Sequence, residues 1–360
     1  MKKVLFSAFS LDIGGIETAL LTLLNELAKE RKYKITLCLE QKQGVFLDDL
    51  DKRIKVIQYK PCSIKTAPIR KAINLLKQIV FFIGHKNRYD FAASYATYSN
   101  PGSFVARTAS KNSCLFGHMD YLAMFKGNKE EMIKFFIEKK VNKFKHIVFV
   151  SKTGRETFIK EFPDLESRTY AINNMIDYNK ILKLADEPIE EKKESMITFV
   201  NVGRHDEDQK KLSRIIEAAK KLKADNYRFR ILFVGDGQDK EVYEKMVYSF
   251  GLEDNIKFLG KKKNPYPYYK LADAVVLSSD YEGYPVVFVE SMLLDRPLIT
   301  TDVSDYDEIE NKFGIVCEKN SESLYKAMKQ FMDQGFEIKN KFNPKQFNDI
   351  ILENIENLMN

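Results

Sequence analysis

Glu282 and Glu290 stand with seven residues between them, and that interval turns from a polar stretch into an apolar helix. A helix start carries free backbone N–H groups and the positive end of the helix dipole, which together can hold a phosphate. Pro285 donates no hydrogen bond, but its fixed φ suits a first helical turn. Glu290 falls about one turn inside a helix predicted over Val286–Asp295, with apolar residues on both sides of it. A carboxylate in that company needs a partner. The hydroxyls of a ribose would serve, and an internal salt bridge is the structural alternative.

Other loops have the composition of anion sites. Gly14-Gly15, within Asp12-Ile13-Gly14-Gly15-Ile16-Glu17, follows a first strand and opens a helix. Paired glycines let backbone approach an anion there; a tight strand-to-helix turn is the other reading. The full G-x-G-x-x-G pattern is absent, which argues against a dehydrogenase. Further on, Gly203 is followed by Arg204 and, six positions later, Lys210. Arginine offers a planar fork and lysine a compact charge, so both suit a diphosphate. The acidic Asp206-Glu207-Asp208 between them looks like a metal triplet, but reads better as a helix start favoured by the dipole. Gly235-Asp236-Gly237 ends another strand, where it can bring backbone close to a nucleotide; alone it is only a turn. His118 also follows a strand end, although a lone histidine is more often structural.

The elements that must position these loops alternate in type. Val4–Ser10, Lys34–Glu40, Ile54–Tyr59, Phe91–Ala96, Ser113–Phe116 and His146–Ser151 read as strands. Helical spacing covers Ile16–Glu30, Pro68–Gly84 and a charged stretch from Lys129 to Phe144. The alternation restarts at Met196–Val202 and continues through Phe229–Val234, Ile256–Leu259, Ala274–Leu277, Pro297–Thr301 and Gly314–Cys317. Buried apolar strands alternating with helices mean parallel α/β sheets. Ligand sites in such sheets lie at the carboxyl ends of the strands. Three segments are expected: a domain over 1–172, a polar linker over 173–195 and a second domain over 196–343. The last helix, about 344–360, would pack back on the first domain.

The order and spacing of these residues resemble the E-x7-E group of retaining glycosyltransferases with the GT-B fold, glycosyltransferase family 4. Glu282 and Glu290 match its glutamates. Gly14-Gly15, Asn174-Met175-Ile176-Asp177, Gly203-Arg204, Lys210, Gly235-Asp236-Gly237, Thr300-Thr301-Asp302-Val303 and Glu308 follow in the family's order. The resemblance is dense over 196–318 and thinner over the first half. It implies two facing Rossmann-like, doubly wound domains with the donor site in the interdomain cleft. It also implies transfer of a sugar, with retention and without a metal or other cofactor, from a nucleotide-diphosphate sugar. UDP-sugar is favoured on family frequency. The acceptor would be a hydroxyl of a saccharide or lipid-linked saccharide, in bacterial cell-envelope or capsule synthesis.

Carried over by position, Arg204 and Lys210 would bind the diphosphate and stabilise the leaving nucleotide. Glu282 would contact the transferred sugar, and Glu290 the ribose. Gly283, Tyr284, Pro285, Val286 and Val287 would hold phosphate or sugar, with Gly203, Gly235 and Gly237 close to the nucleotide. Gly14 and Gly15 would approach from the first domain, and His118 resembles the family's active-site histidine. This sequence departs from the family at Lys211, where many members have glycine after the phosphate lysine, and at Ser304-Asp305, where many have glycines. The first departure leaves open which lysine reaches the diphosphate. A catalytically silent GT-B partner and a sugar-nucleotide epimerase are the rival readings.

Composition bounds the rest. The four cysteines are far apart and none sits at zinc spacing, which reads as a reduced, cytoplasmic protein. The N-terminal apolar run stops at Asp12 without a small-residue cleavage site, so a strand is a better reading than a signal peptide. No apolar stretch is long enough to cross a bilayer. The charge is uneven: residues 52–145 hold 19 Lys/Arg and 5 Asp/Glu. A basic region suits an anionic partner, but no nucleic-acid module is recognisable. Residues 65–88 combine basic side chains with an apolar helical pattern, which suits an anionic membrane surface at the inner face of the plasma membrane. A buried helix with a lysine-rich outer face fits the same pattern.

Overall fold

A computed structural model describes residues 1–12 and 14–360. The chain divides into two compact units, one of residues 1–176 with 345–360 and the other of 177–344.

Unit 1 alternates strands and helices in the order β1 (Lys2–Ala8), α1 (Gly15–Lys29), β2 (Tyr33–Leu39), β3 (Lys55–Gln58), α2 (Ala67–His85), β4 (Phe91–Ser94) and α3 (Asn100–Ala109). It continues with β5 (Ser113–Gly117), α4 (Tyr121–Met124), α5 (Lys129–Glu138), β6 (His146–Phe149), α6 (Lys152–Glu161) and β7 (Thr169–Ala171). The seven strands form one parallel sheet in the order β3-β2-β1-β4-β5-β6-β7. The strands are apolar on both faces because helices cover both. Phe6, Leu20, Leu24, Phe91 and Phe116 share one cluster; Leu5, Ala92, Phe136, Phe149 and Phe158 share another.

Unit 2 opens with α7 (Tyr178–Ala185), then runs β8 (Ile197–Val202), α8 (Leu212–Ala224), β9 (Phe229–Val234), α9 (Lys240–Ser249), β10 (Ile256–Gly260) and α10 (Tyr266–Leu271). It ends with β11 (Ala274–Leu277), α11 (Val286–Leu293), β12 (Leu298–Thr301), β13 (Gly314–Cys317) and α12 (Ser321–Gln334). Its six strands are also parallel, ordered β10-β9-β8-β11-β12-β13. In each sheet the order reverses once, beside β1 in unit 1 and beside β8 in unit 2. The crevice at such a reversal, outside the carboxyl ends of the strands, is where doubly wound sheets take ligands.

Two expectations need correction. Residues 173–195 are not a plain linker, because 178–185 form α7, with Ile181 and Ala185 buried. The charged helix starting at Lys129 stops at Glu138, since Lys140 adopts φ 57° and the chain tightens into a 3-10 turn over Val141–Lys143. No helix of the described residues is long and apolar enough to cross a membrane.

The last helix, α13 (Pro344–Met359), lies in unit 1, where Ile351, Ile355, Leu358 and Met359 join the β1–α1 cluster. Asn348 fixes its start by a reciprocal pair: its Oδ1 accepts from the Ile176 N–H at 3.1 Å and its Nδ2 donates to the Ile176 carbonyl at 2.7 Å. Tyr33 Oη donates to Glu356 at 2.9 Å near the other end. Ile355→Ala is therefore expected to lower the stability of unit 1 by about 2–5 kcal/mol. The exposed Ile350→Ala on the same helix should stay within about 0.5 kcal/mol. Urea denaturation of the two variants checks this, and equal effects would show that α13 is not held by its buried stripe.

Candidate active site

The loops after β8 and β9 are held together through backbone. Gly203 N–H donates to the Val234 carbonyl and His205 N–H to the Asp236 carbonyl, both at 3.0 Å. A Cβ on Gly235 would lie 1.8 Å from the Gly203 oxygen, and φ there is +154°. A Cβ on Gly237 would meet the His205 carbonyl oxygen at 2.2 Å. These glycines are needed for loop-to-loop approach. His205 is fully buried among Phe233, Tyr243 and Phe258, and anchors the loop.

The charged centre joins the β8 loop to the β11 loop across the sheet reversal. Glu282 is 6% exposed. It accepts from Lys210 Nζ at 2.5 Å, Ser279 Oγ at 2.7 Å and Gln209 Nε2 at 3.3 Å. Gln209 in turn accepts from Arg204 Nη2 at 2.8 Å, while Arg204 Nε lies 3.3 Å from Asp206. The rest of the Arg204 fork is open to solvent, its side chain being 62% exposed. Backbone ties reinforce the joint: Asp280 N–H donates to the Gln209 carbonyl and Ser278 Oγ to the Lys210 carbonyl, both at 2.8 Å.

Lys210 and Lys211 separate at this point. Lys211 takes φ +51°, so the chain reverses between the two side chains. Lys210 goes to Glu282, whereas Lys211 Nζ lies 3.7 Å from Glu207 and 3.8 Å from Asp280. The acidic triplet is not a helix start, because α8 begins only at Leu212. Asp206 instead closes a turn by accepting from Gln209 N–H at 3.0 Å, and Glu207 accepts from Ser213 and Tyr243.

α11 begins directly after this centre. Pro285 is its N-cap, and no side chain caps the first turn. Val286 and Val287 are only half-buried, so this end of the helix is open to an anion. Gly283 is held by Ser304 Oγ, which donates to its carbonyl, and Tyr284 Oη donates to Glu308 at 2.9 Å. Glu290 is buried and accepts hydrogen bonds from the Tyr266 and Tyr269 hydroxyls, not from a cation. Burial pushes its carboxyl above the usual range, opposed by the two tyrosines. Among the described residues, no group of three or more His, Cys, Asp or Glu side chains is arranged to hold a metal ion.

The residues singled out in the sequence thus fall into two sets. Gly203, Arg204, Lys210, Gly235, Gly237, Glu282, Gly283, Tyr284, Pro285, Val286, Val287 and Glu290 belong to unit 2, in its strand-end loops and in α11. Gly14, Gly15 and His118 belong to unit 1. Gly14 is the N-cap of α1 and Gly15 its first residue, while Ile13 lies outside the described residues. His118 is buried at the end of β5, with Nε2 2.7 Å from the Tyr95 carbonyl. A carbonyl only accepts, so Nε2 carries the proton and Nδ1 keeps its lone pair. Burial pushes the imidazole down to about 4, which leaves it neutral near pH 7.

Sequence reading missed Gln209, Ser279, Tyr266 and Tyr269. The cluster Tyr266-Pro267-Tyr268-Tyr269 is visible, but its link to Glu290 depends on α10 meeting α11 in the fold. Gln209 sits between the two cations already singled out, and carried no signal of its own.

Residues 183–348 match the family model described as glycosyl transferases group 1, a span that includes every unit 2 residue of the site. An uncharacterized glycosyltransferase of Methanocaldococcus jannaschii is 29% identical over 166 residues, covering 44% of this chain and 40% of that protein. The N-acetylgalactosamine-N,N'-diacetylbacillosaminyl-diphospho-undecaprenol 4-alpha-N-acetylgalactosaminyltransferase of Campylobacter jejuni is 24% identical over 350 residues, 92% of this chain and 91% of that one. Among solved structures, Anabaena HepE in complex with UDP and glucose superposes with a TM-score of 0.76 at 17% identity, covering 99% of this chain and 100% of that one. The fold is GT-B, two Rossmann-like units with parallel sheets. The second unit matches the glycosyl transferases group 1 model, and the architecture as a whole is that of GT-B structures.

The buried carboxylate gives a signed test. A carboxyl raised on folding takes up protons relative to the unfolded chain, so its contribution to stability falls as pH rises through that window. Glu290→Gln should therefore match wild type near pH 4 and become the more stable protein towards pH 7, without ligand. Thermal melts across that range check it. A variant less stable than wild type at pH 7 would mean that the tyrosine bonds outweigh burial.

Proposed function

We propose that the protein is a retaining glycosyltransferase of the family 4 type, moving a sugar from a nucleotide-diphosphate sugar, UDP-sugar by preference, to an acceptor hydroxyl. The observation that carries this reading is the Lys210–Glu282 pair beside the open start of α11, with Glu290 buried one turn further on. A diphosphate at the helix start would meet the amides of Val286 and Val287, the free part of Arg204 and the ammonium of Lys210. These groups lower the cost of charge on the departing nucleotide when the bond from the anomeric carbon to phosphate oxygen breaks. In this mechanism the protein groups would meet that charge without a metal.

Glu282 would accept hydrogen bonds from hydroxyls of the transferred sugar, exchanging them for part of its hold on Lys210. Glu290 would take the ribose hydroxyls; a carboxylate has acceptor sites beyond those the two tyrosines use. The acceptor oxygen would bond to the anomeric carbon on the face the nucleotide leaves, and its proton would pass to the leaving phosphate. Gly14 and Gly15, at the start of α1, and neutral His118 are assigned to substrate binding. HepE, crystallised with UDP and glucose, supports a UDP-sugar donor. The Campylobacter relative, named for a diphospho-undecaprenol saccharide, supports a saccharide or lipid-linked saccharide acceptor, and a Staphylococcus aureus relative named for capsular polysaccharide biosynthesis supports a place in envelope or capsule synthesis.

Nucleoside diphosphate release from a panel of UDP-sugars, with and without saccharide acceptors, tests the assignment. Arg204→Ala and Lys210→Ala should each lower turnover by about 100-fold. Lys211→Gly should keep near-normal turnover, since glycine relieves a left-handed residue. EDTA should leave the rate unchanged. Normal rates in both alanine variants, or no release with any donor, would sink the proposal.

A further inference from the structure

The sequence left two readings of α2 open, a buried helix with a lysine-rich outside or a surface helix with an apolar outside. The structure decides between them. Of its nineteen residues, Phe81 alone is buried, against Tyr59 and Phe104 at ring separations of 5.0 and 6.0 Å. At roughly 100° per residue, Arg70, Ile73, Asn74, Lys77, Phe81 and His85 share the inward side. Several of these grip the chain leading into the helix. Asn74 exchanges hydrogen bonds with both backbone groups of Cys62, Lys77 donates to the Lys60 carbonyl and Arg70 to that of Ile64.

The opposite side is a continuous apolar stripe. Ile69, Leu75, Leu76, Ile79, Val80, Phe82 and Ile83 are between 43% and 70% exposed. Soluble monomers rarely leave so large an apolar patch in water unless something covers it. The surrounding charge identifies the cover. Residues 60–88 contain seven Lys/Arg and no Asp/Glu. Lys71 borders the stripe on the helix, and Lys86, just past its end, lies 4.5 Å from the Phe82 ring centroid. An apolar stripe on a segment whose charges are all positive is the pattern of a helix lying in the interface of an anionic bilayer, with lysine stems reaching up to the headgroups.

We propose that the outward face of α2 docks unit 1 on an anionic lipid bilayer. Ile69, Leu76, Ile79 and Ile83 enter the acyl boundary and Lys71 and Lys86 meet the headgroups. The proposal does not rest on the transfer reaction, so either can fail alone.

The chain contains no tryptophan, which permits a clean probe. Leu76→Trp and Ile83→Trp place single reporters on the stripe, and Tyr248→Trp places one on an exposed site in unit 2. With phosphatidylglycerol vesicles, the two stripe reporters should shift to the blue and be quenched by brominated acyl chains. The Tyr248→Trp reporter should do neither, and phosphatidylcholine vesicles should give no shift. Flotation of the tryptophan-free chain should fall with salt, and fall at least tenfold in the Leu76→Glu, Ile79→Glu double variant with its melting temperature unchanged. An unshifted stripe reporter, or flotation unaffected by the double variant, overturns the proposal. So does a stable dimer without vesicles that the same variant splits, because a second copy would then own the face.

Discussion

A carboxylate almost cut off from water must be matched by donors, and Glu282 finds all of its donors nearby. Lys210 and Gln209 come from the loop after β8, and Ser279 from its own loop after β11. Those strands are neighbours at the point where the sheet order reverses, so the pair sits at the crevice that a doubly wound sheet leaves open. Removing one partner from a poorly solvated pair strands the other charge, which is why such pairs hold geometry more firmly than their net energy suggests. The reversal at Lys211 follows from it. One lysine crosses to Glu282 while the chain turns at once into α8, and the left-handed Lys211 makes that turn in one step.

The same centre explains how two acidic groups could flank the proposed anion site. Glu282 is neutralised by Lys210, and Glu290 is met by phenol hydroxyls. Between them the open end of α11 and the exposed Arg204 fork set a positive field. In the proposed reaction the two carboxylates would act as hydrogen-bond acceptors for hydroxyls more than as sources of repulsion towards phosphate. In the proposed donor complex, sugar and ribose would both offer hydroxyls, while the diphosphate between them would need the opposite sign.

Most of this was legible because local rules and the fold agree. All six strands of the second sheet are marked by apolar runs, and the glycines at 235 and 237 sit where the backbone permits no side chain. The two departures from the family pattern, at Lys211 and Ser304, both fall on left-handed residues, with φ of 51° and 52°. Glycine would take either conformation without strain, so both positions carry a backbone constraint that their side chains do not reveal. What stayed hidden was partnership across elements. Nothing in the spacing of Tyr266, Tyr269 and Glu290 says that α10 and α11 will meet, and the turn closed by Asp206 looks in sequence like a helix start. The strand at Thr169–Ala171 is too short for periodicity to mark.

The helices show the limit of pattern most clearly. In α8 the stripe Leu212, Ile215, Ile216, Ala219 and Leu222 is wholly buried in the core of unit 2. The stripe of α2 is as regular, yet it points into solvent. Periodicity states that a helix has an apolar side and that something must cover it; it does not state that the protein's own sheet will. In α2 the polar grip of Asn74, Lys77 and Arg70 on the preceding segment fixes which side turns inward, and those are side-chain-to-backbone bonds no hydropathy pattern encodes. Charge supplies the missing direction. The other face of α8 mixes Glu217 with lysines, as a solvated surface does, whereas residues 60–88 carry one sign only. A single-signed border around an apolar face is poorly suited to a neutral core and well suited to a surface of the opposite sign.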